Sequence, residues 1–271
     1  MSNFTVAGLT EIINRLLPEP HAGLLAGLLF GTKTSLSPDV YQALVTTGTL
    51  HIVALSGMNI TIMIDMIGLA LMPVIGVRWA SITAIGVIGW FVWFVGMDPP
   101  IVRAAIMGSI SLFSVLAGRQ YWGLISWGIA SGSMLIVKPE WLFDISFQLS
   151  VFASLGIILF GKTENKPTQG LIAGAYNYLR NTMRLTLAAQ VFTVPLIFFT
   201  FHRISIVSPC ANVAIGWIIA PLTMLGWATV LTGWMVLYAG QILGWIDWLL
   251  LEYLVRTVFL FSSIPFAGVS F

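Results

Sequence analysis

The stretch Trp79–Ala117, WASITAIGVIGWFVWFVGMDPPIVRAAIMGSISLFSVLA, decides the fold. It holds two apolar blocks, 79–96 and 101–117, with Asp98-Pro99-Pro100 between them, and its only charges are Asp98 and Arg103. Each block approaches the roughly 20 residues that a helix needs to cross a bilayer. The two prolines fix a turn and start the second helix. Working outward, further spans are predicted at 57–72, 121–137, 141–161, 182–201 and 241–262. Residues 205–239 are too long for one straight crossing and too short for two. Pro209 and Pro221 interrupt them, which predicts a kinked or discontinuous span.

The composition agrees. Of 271 residues, 58% are hydrophobic and 8% charged, and mean hydropathy is +0.96. A soluble domain carries about 25% charged residues, so a water-soluble globule is excluded, and so is a disordered chain. Long apolar blocks exclude a β-barrel, whose strands alternate. The expected fold is an all-α integral membrane protein, a polytopic helical bundle of about 7–9 spans with broken or re-entrant helices. The formal charge of +2 announces no nucleic-acid surface by itself. The one cysteine, Cys210, allows no intrachain disulfide and no cysteine-cluster metal site.

The chain divides into an amphipathic N-terminal segment, 1–19, and a transmembrane domain, 20–271. The first 20 residues do not read as a secretory signal: a basic start is missing and Glu11 and Arg15 interrupt the apolar positions. Residues 5–17 predict an amphipathic helix lying on the membrane and ended by Pro18 and Pro20. Ala22–Phe30 is too short to span and reads as a re-entrant or interfacial piece. Ser37-Pro38-Asp39 is a helix start with a capping serine. That helix runs toward Leu55, where Ser56-Gly57 breaks the pattern. Broken backbone at membrane depth survives only inside protein or beside a wet cavity, which marks this point as functional. If spans alternate, one side collects Arg78, Arg119, Lys162, Lys166, Arg180 and Arg184, and the other Arg103, Lys138 and Arg203. The 162–180 loop, with Glu164, Asn165 and Pro167, is then cytoplasmic. No internal repeat is evident. Gly128 with Gly132, and the Ser146, Ser150, Ser154 row, fit close helix packing.

Charged residues inside a bilayer are costly and need a reason. Asp65 shares a helix face with Thr61, which is placed to share its hydrogen bonding. Asp144 and Gln148 share another face, and Asp144 suits either an interfacial cap or a lumen-facing role. Glu252 and Arg256 suit a structural ion pair. Arg103 either snorkels to the interface or points into the bundle, where it would meet a phosphate or Asp98. His51 and Ser56 do not share a helix face, so a serine hydrolase is disfavoured. Gly156–Thr163 matches a phosphate loop in spacing, but it ends a span where the motif needs a strand, a loop and a helix. His21, His51 and His202 have no metal-ligand spacing. The expectation is therefore no catalytic residue, no metal, no cofactor and no enzyme. Most of the 11 tryptophans and 17 phenylalanines read as interfacial belts and packing, with a minority available to stack on bases.

The segment Leu50-His51-Ile52-Val53-Ala54-Leu55-Ser56-Gly57-Met58-Asn59-Ile60, preceded by Thr47-Gly48, resembles the signature of the competence domain of the ComEC family. These are the inner-membrane DNA-uptake proteins of natural transformation. Pro20–Gly31, Pro100-Ile101-Val102-Arg103-Ala104 with Met107, Pro139–Gly156 around Ser146-Phe147-Gln148-Leu149-Ser150, and Arg203-Ile204-Ser205 with Asn212 follow the family's order. The resemblance covers about residues 20–265. It implies a multi-pass protein of the bacterial plasma (inner) membrane, a channel passing single-stranded DNA into the cytoplasm. It makes His51, Ser56, Gly57, Asn59, Asp98, Arg103, Asp144, Gln148 and Asn212 the DNA-pathway candidates, with Arg103 on phosphate and the amides offering neutral hydrogen bonds. Expected partners are single-stranded DNA, membrane lipid, a separate nuclease and a cytoplasmic ATPase or helicase, with a homodimer left open. Full-length members usually carry OB-like and metallo-β-lactamase-like domains, and neither fits within this chain. The alternatives are a small-molecule or ion permease, favoured if Asp65 and Asp144 share a closed cavity, and a non-conducting scaffold.

Overall fold

The computed structural model describes residues 4–32, 36–162 and 170–270. The protein is an all-α membrane protein. Among the described residues there are eleven α-helices, a short 3-10 turn at Pro139–Phe143, and two three-residue strands. Four helices are long and apolar enough to cross a membrane by length and composition: Gly57–Val95, Pro99–Leu116, Ile172–Phe201 and Ser208–Met235.

Helix α1, Val6–Leu16, starts at Thr5, whose hydroxyl accepts the Gly8 N–H at 3.2 Å. Its apolar stripe Leu9, Ile12, Ile13 and Leu16 is buried. The stripe does not lie on lipid as expected. Leu16 and Ile12 fit against Gly233 and Gly240, where glycine leaves room, and Gln241 donates to the Leu16 carbonyl at 3.0 Å. An apolar face signals burial, but lipid and protein satisfy it equally. The polar face keeps the Glu11–Arg15 pair at 2.5 Å.

Helix α2, His21–Phe30, is buried at all ten residues. At about 1.5 Å per residue it is half the thickness of a bilayer core. It is held inside the protein by α1 and by four helices that follow it in the chain. Helix α3, Pro38–Thr46, has Ser37 at its start, but the serine side chain makes no capping bond. The helix ends well short of Leu55. Thr47 turns its hydroxyl back to the Ala43 carbonyl at 2.8 Å, and Gly48 adopts a left-handed φ of 68°. Helix α4, Leu50–Val53, is a single turn, and Ala54 is extended before α5, Gly57–Val95, begins. The break is therefore double, at 47–49 and at 54–56.

Gly76 leaves helical geometry (φ 76°, ψ 165°) and splits α5 into two arms, matching the two spans expected there. Helix α6, Pro99–Leu116, follows the double proline; α7, Gly123–Val137, and α8, Ile145–Phe160, follow it. Gly156 to Phe160 are helical, so the phosphate-loop match is not a loop; its Thr163, like Glu164, Asn165, Lys166 and Pro167, lies outside the described residues. Helix α9, Leu171–Phe201, starts about eleven residues earlier than 182, within the stretch expected as loop. Helix α10, Ser208–Met235, is one helix with Pro221 inside it, not a discontinuous pair. After extended Val236 the chain enters α11, Leu237–Ser262, which carries Asp247, Glu252 and Arg256. Strand β1, Arg203–Ser205, pairs antiparallel with β2, Gly268–Ser270, and Gly268 backs onto Thr46. The α3–α4 turn, the α9–α10 turn and the chain's end thus lie together.

Small residues set the closest approaches, but not where expected. A β-carbon added to Gly128 or Gly132 would meet nothing within 4 Å. Gly156 instead presses on the Ala188 backbone, and Gly240 on Gly233, where an added β-carbon would lie 2.5 Å from Cα. Gly240→Val should therefore splay α10 from α11 and cost about 1–3 kcal/mol, the usual range for overpacking. Thermal unfolding in detergent should show a lowered Tm for it, and none for Gly86→Ala, whose β-carbon meets only open space.

Candidate functional site

Arg103 enters the bundle from the second turn of α6. Its Nη1 donates to the Ser150 carbonyl of α8 at 2.6 Å, and its Nη2 lies beside the first residue of α5. A β-carbon on Gly57 would sit 3.2 Å from Ala104 Cβ and 3.4 Å from that Nη2. The guanidinium therefore points inward and does not snorkel. Its partner is a main-chain carbonyl, not Asp98. Asp98 is exposed at the start of α6, and its side chain makes no capping bond. The Arg103 Nε is buried without a partner. Among the described residues no carboxylate pairs with this charge, which leaves a cation in an apolar setting with donors to spare.

The signature stretch forms the other half of the site. Thr47 and Thr49 are buried and share a 2.8 Å hydroxyl bond. His51 is exposed, and its Nδ1 meets the Gly48 carbonyl at 3.0 Å. Ser56 stands at the cap position of α5 without a side-chain bond to it. Asn59, one turn on, is buried and donates to the Leu28 carbonyl at 2.7 Å. That carbonyl belongs to the last turn of α2, which has no helical partner for it. Asn59 thus ties the end of α2 to the start of α5.

Asp144 caps α8, accepting the Phe147 N–H at 3.0 Å. Gln148 donates to the Leu142 carbonyl at 2.8 Å, just before α8. Asn212 reaches Ser208 at 3.5 Å, and Ser208 is buried against the Gly48 turn. Four of the nine candidates gather at two junctions, while Asn59 ties α2 to α5 and Ser56 makes no capping bond. Gly57, Arg103 and the Ser150 segment meet at one junction; Gly48, His51, Ser208 and Asn212 meet at another. Asp98, Asp144 and Gln148 join neither by a side-chain bond.

Asp65 is exposed, and Thr61 bonds to the Gly57 carbonyl at 3.2 Å instead of to it. Two cavities stand out: an apolar cleft of about 550 Å³ between the second arm of α5 and α6, and one of about 480 Å³ lined by Leu16, Gln241, Trp245 and Trp248. Neither is lined by Asp65 or Asp144. Among the described residues no group of His, Cys, Asp and Glu is placed to hold a metal.

Sequence reasoning missed three polar contacts. The Glu252–Arg256 pair, at 2.6 Å, is present as expected, but Glu252 also meets His21 of α2 at 2.9 Å. Asp247 is completely buried and accepts the Thr229 hydroxyl at 2.5 Å across α10 and α11. Gln190 of α9 donates to Ser208 at 3.2 Å. Gly240, Gly244, Asp247, Leu251 and Leu254 recur at helical spacing and are all buried. That periodicity was the available signal for Asp247.

A bundle of apolar helices, interrupted by short buried pieces and carrying an inward arginine, defines a polytopic membrane protein of the broken-helix kind. The model of the competence protein family matches residues 28–271, and the chain belongs to that family. It is 27% identical over 210 residues to ComE operon protein 3 of Bacillus subtilis (strain 168), covering 73% of this chain and 25% of that protein. It is 24% identical over 220 residues to competence protein ComA of Neisseria gonorrhoeae, covering 75% of this chain and 30% of that one. It is also 24% identical over 245 residues to the uncharacterized protein YcaI of Escherichia coli (strain K12), covering 86% and 32%. The chain thus spans between a quarter and a third of these relatives' lengths. No solved structure matches it.

Two substitutions test the polar ties. Thr229→Val should cost about 0.6–1.7 kcal/mol, the range for a cross-helix bond in a membrane protein. Asn59→Leu should cost about 1–3 kcal/mol, since it leaves the buried Leu28 carbonyl without a partner. Denaturation in mild detergent reads both, and an Asn59→Leu protein as stable as wild type would remove Asn59 from the α2–α5 tie.

Proposed function

We propose that this chain is a conduit for single-stranded DNA across the bacterial plasma membrane into the cytoplasm, in DNA uptake during natural transformation. Membership of the competence family supports a role in competence. The observation that carries the finer reading is Arg103. It is a cation inside an apolar bundle, joined to one neutral carbonyl, with a buried Nε to spare and, among the described residues, no carboxylate paired with it. A passing phosphate would supply the missing charge. Gly57 leaves the guanidinium its room, so the broken entry to α5 and the arginine act as one unit. The chain acts by binding and passage and catalyses no bond change. A separate nuclease would degrade the other strand, and a cytoplasmic ATPase or helicase would draw this one in.

The permease reading asks Asp65 and Asp144 to share a closed cavity. Asp65 is exposed on α5 and Asp144 caps α8, and no side-chain bond joins them among the described residues, so this observation does not favour that reading.

Entry of labelled single-stranded DNA into sealed proteoliposomes tests the conduit. Wild-type protein should admit the strand. Arg103→Ala should cut entry about tenfold or more, in line with the loss of a hydrogen bond between charged groups. The logarithm of its binding constant should also fall less steeply with salt, by roughly one unit of slope. Arg103→Lys should keep the slope and lose part of the affinity, because a point charge replaces a planar fork. Entry that is equal with and without the protein overturns the proposal.

A further inference from the structure

The pathway amides are not equivalent. Asn59 and Gln148 donate to main-chain carbonyls at 2.7 and 2.8 Å. Releasing either would strand a backbone group, so both are committed to holding the fold. The junction at Ser208 is built otherwise. Gln190 from α9 and Asn212 from α10 donate to the same hydroxyl, at 3.2 and 3.5 Å. These are long bonds between side chains, and no main-chain group depends on them. The Asn212 Oδ1 is buried and has no partner; the Asn59 Oδ1 shares this, and the two amides differ in what their nitrogens hold. The Gly48 turn closes one side: with φ of 68° it brings its Cα so near that a β-carbon would lie 2.9 Å from the Ser208 hydroxyl. His51 and Cys210, on either flank, are exposed.

On the conduit reading stated above, we infer that Gln190, Ser208 and Asn212 form a neutral contact for the edges of nucleobases, with Gln190 a contact residue that no sequence motif marked. The chemistry fits a base and not a phosphate. A phosphate needs positive donors, and Gln190, Ser208 and Asn212 supply none. A base edge offers a donor beside acceptors, and a carboxamide answers with an acceptor beside a donor. Here Asn212 Oδ1 is the idle acceptor. Gln190 Nε2 is a donor whose present bond is weak enough to exchange. Two rotatable amides around a rotatable hydroxyl can serve any base in turn. That suits a strand that must slide past without being read.

Binding of two oligonucleotides of equal length tests this, one of thymidine and one abasic, with the full chain in nanodiscs. They carry the same phosphates and differ in the bases. Gln190→Met, matched in length and suited to a membrane helix, should weaken the thymidine strand about 3- to 10-fold, the size of one hydrogen bond. It should leave the abasic strand and the salt slope unchanged, and Gln190→Asn should restore part of the loss. Arg103→Ala should weaken both strands alike and lower the slope. Equal affinity of Gln190→Met and wild type for thymidine overturns the inference while the conduit stands. An equal loss on both strands does the same, since it marks a structural role. A wild-type protein that binds neither strand overturns the conduit reading, and this inference falls with it.

Discussion

Every backbone N–H and C=O inside an apolar bundle must find a partner, and here the broken helices make that demand acute. A continuous span meets it alone. Helix α2 is buried on all sides and ends inside the protein, and α4 is one turn long. Their free carbonyls have no water to turn to. The polar side chains answer. Asn59 takes the Leu28 carbonyl, Arg103 that of Ser150, Trp127 that of Val151, Gln241 that of Leu16 and Tyr253 that of Ala214. Each tie joins two helices. Asn59 and Gln241 meet carbonyls at helix ends and so satisfy interrupted backbone, while Arg103, Trp127 and Tyr253 add a second bond to carbonyls inside α8 and α10.

That framework sets which groups remain for a ligand. A side chain bound to a helix-end carbonyl cannot leave without exposing an unsatisfied acceptor in a low dielectric. Arg103 escapes this constraint because it has five donors and the Ser150 carbonyl uses one direction of the fork. Asn212 escapes it because its partner is a hydroxyl that can rotate. The residues of one family motif thus separate by what they hold: Asn59 holds α2 to α5, and His51 stands exposed beside the Gly48 turn. Asp144 and Gln148, a turn apart at the start of α8, both secure that start.

Much of this was legible in the sequence, and the limits have physical causes. Hydropathy marked 79–117 and the paired arms of α5, because an apolar helix in lipid needs no knowledge of its neighbours. Pro99 and Pro100 marked the start of α6 for the same local reason. Length marked α2 as too short to cross. The destination of α1's apolar face was not legible, since lipid and protein accept the same stripe. The early start of α9 was hidden by Asn177, Arg180, Asn181 and Arg184, whose polarity imitates a loop while their backbone remains helical. The inward direction of Arg103 was readable only as one of two options. His21 with Glu252, and Gln190 with Ser208, are contacts between distant or differently assigned segments, and no local rule joins them.

A close glycine approach and the most deeply buried carboxyl among the described residues occur in the same pair of helices. Gly233 and Gly240 bring α10 and α11 together within a glycine's reach, and Asp247 lies two turns along from Gly240 on the same face. Close approach excludes water from the carboxyl and also places Thr229 where its hydroxyl can serve it. Without the glycines the helices would stand apart and the pair would lengthen. Without Thr229 the same closeness would leave the carboxyl with no donor. Glycine packing and the buried polar bond therefore depend on each other, and they fix the register of α10 against α11. That register carries Ser208 and Asn212 on one helix and, through Glu252 and His21, the placement of α2 on the other. The Ser208 junction and the placement of α2 thus rest on a contact that contains no motif residue.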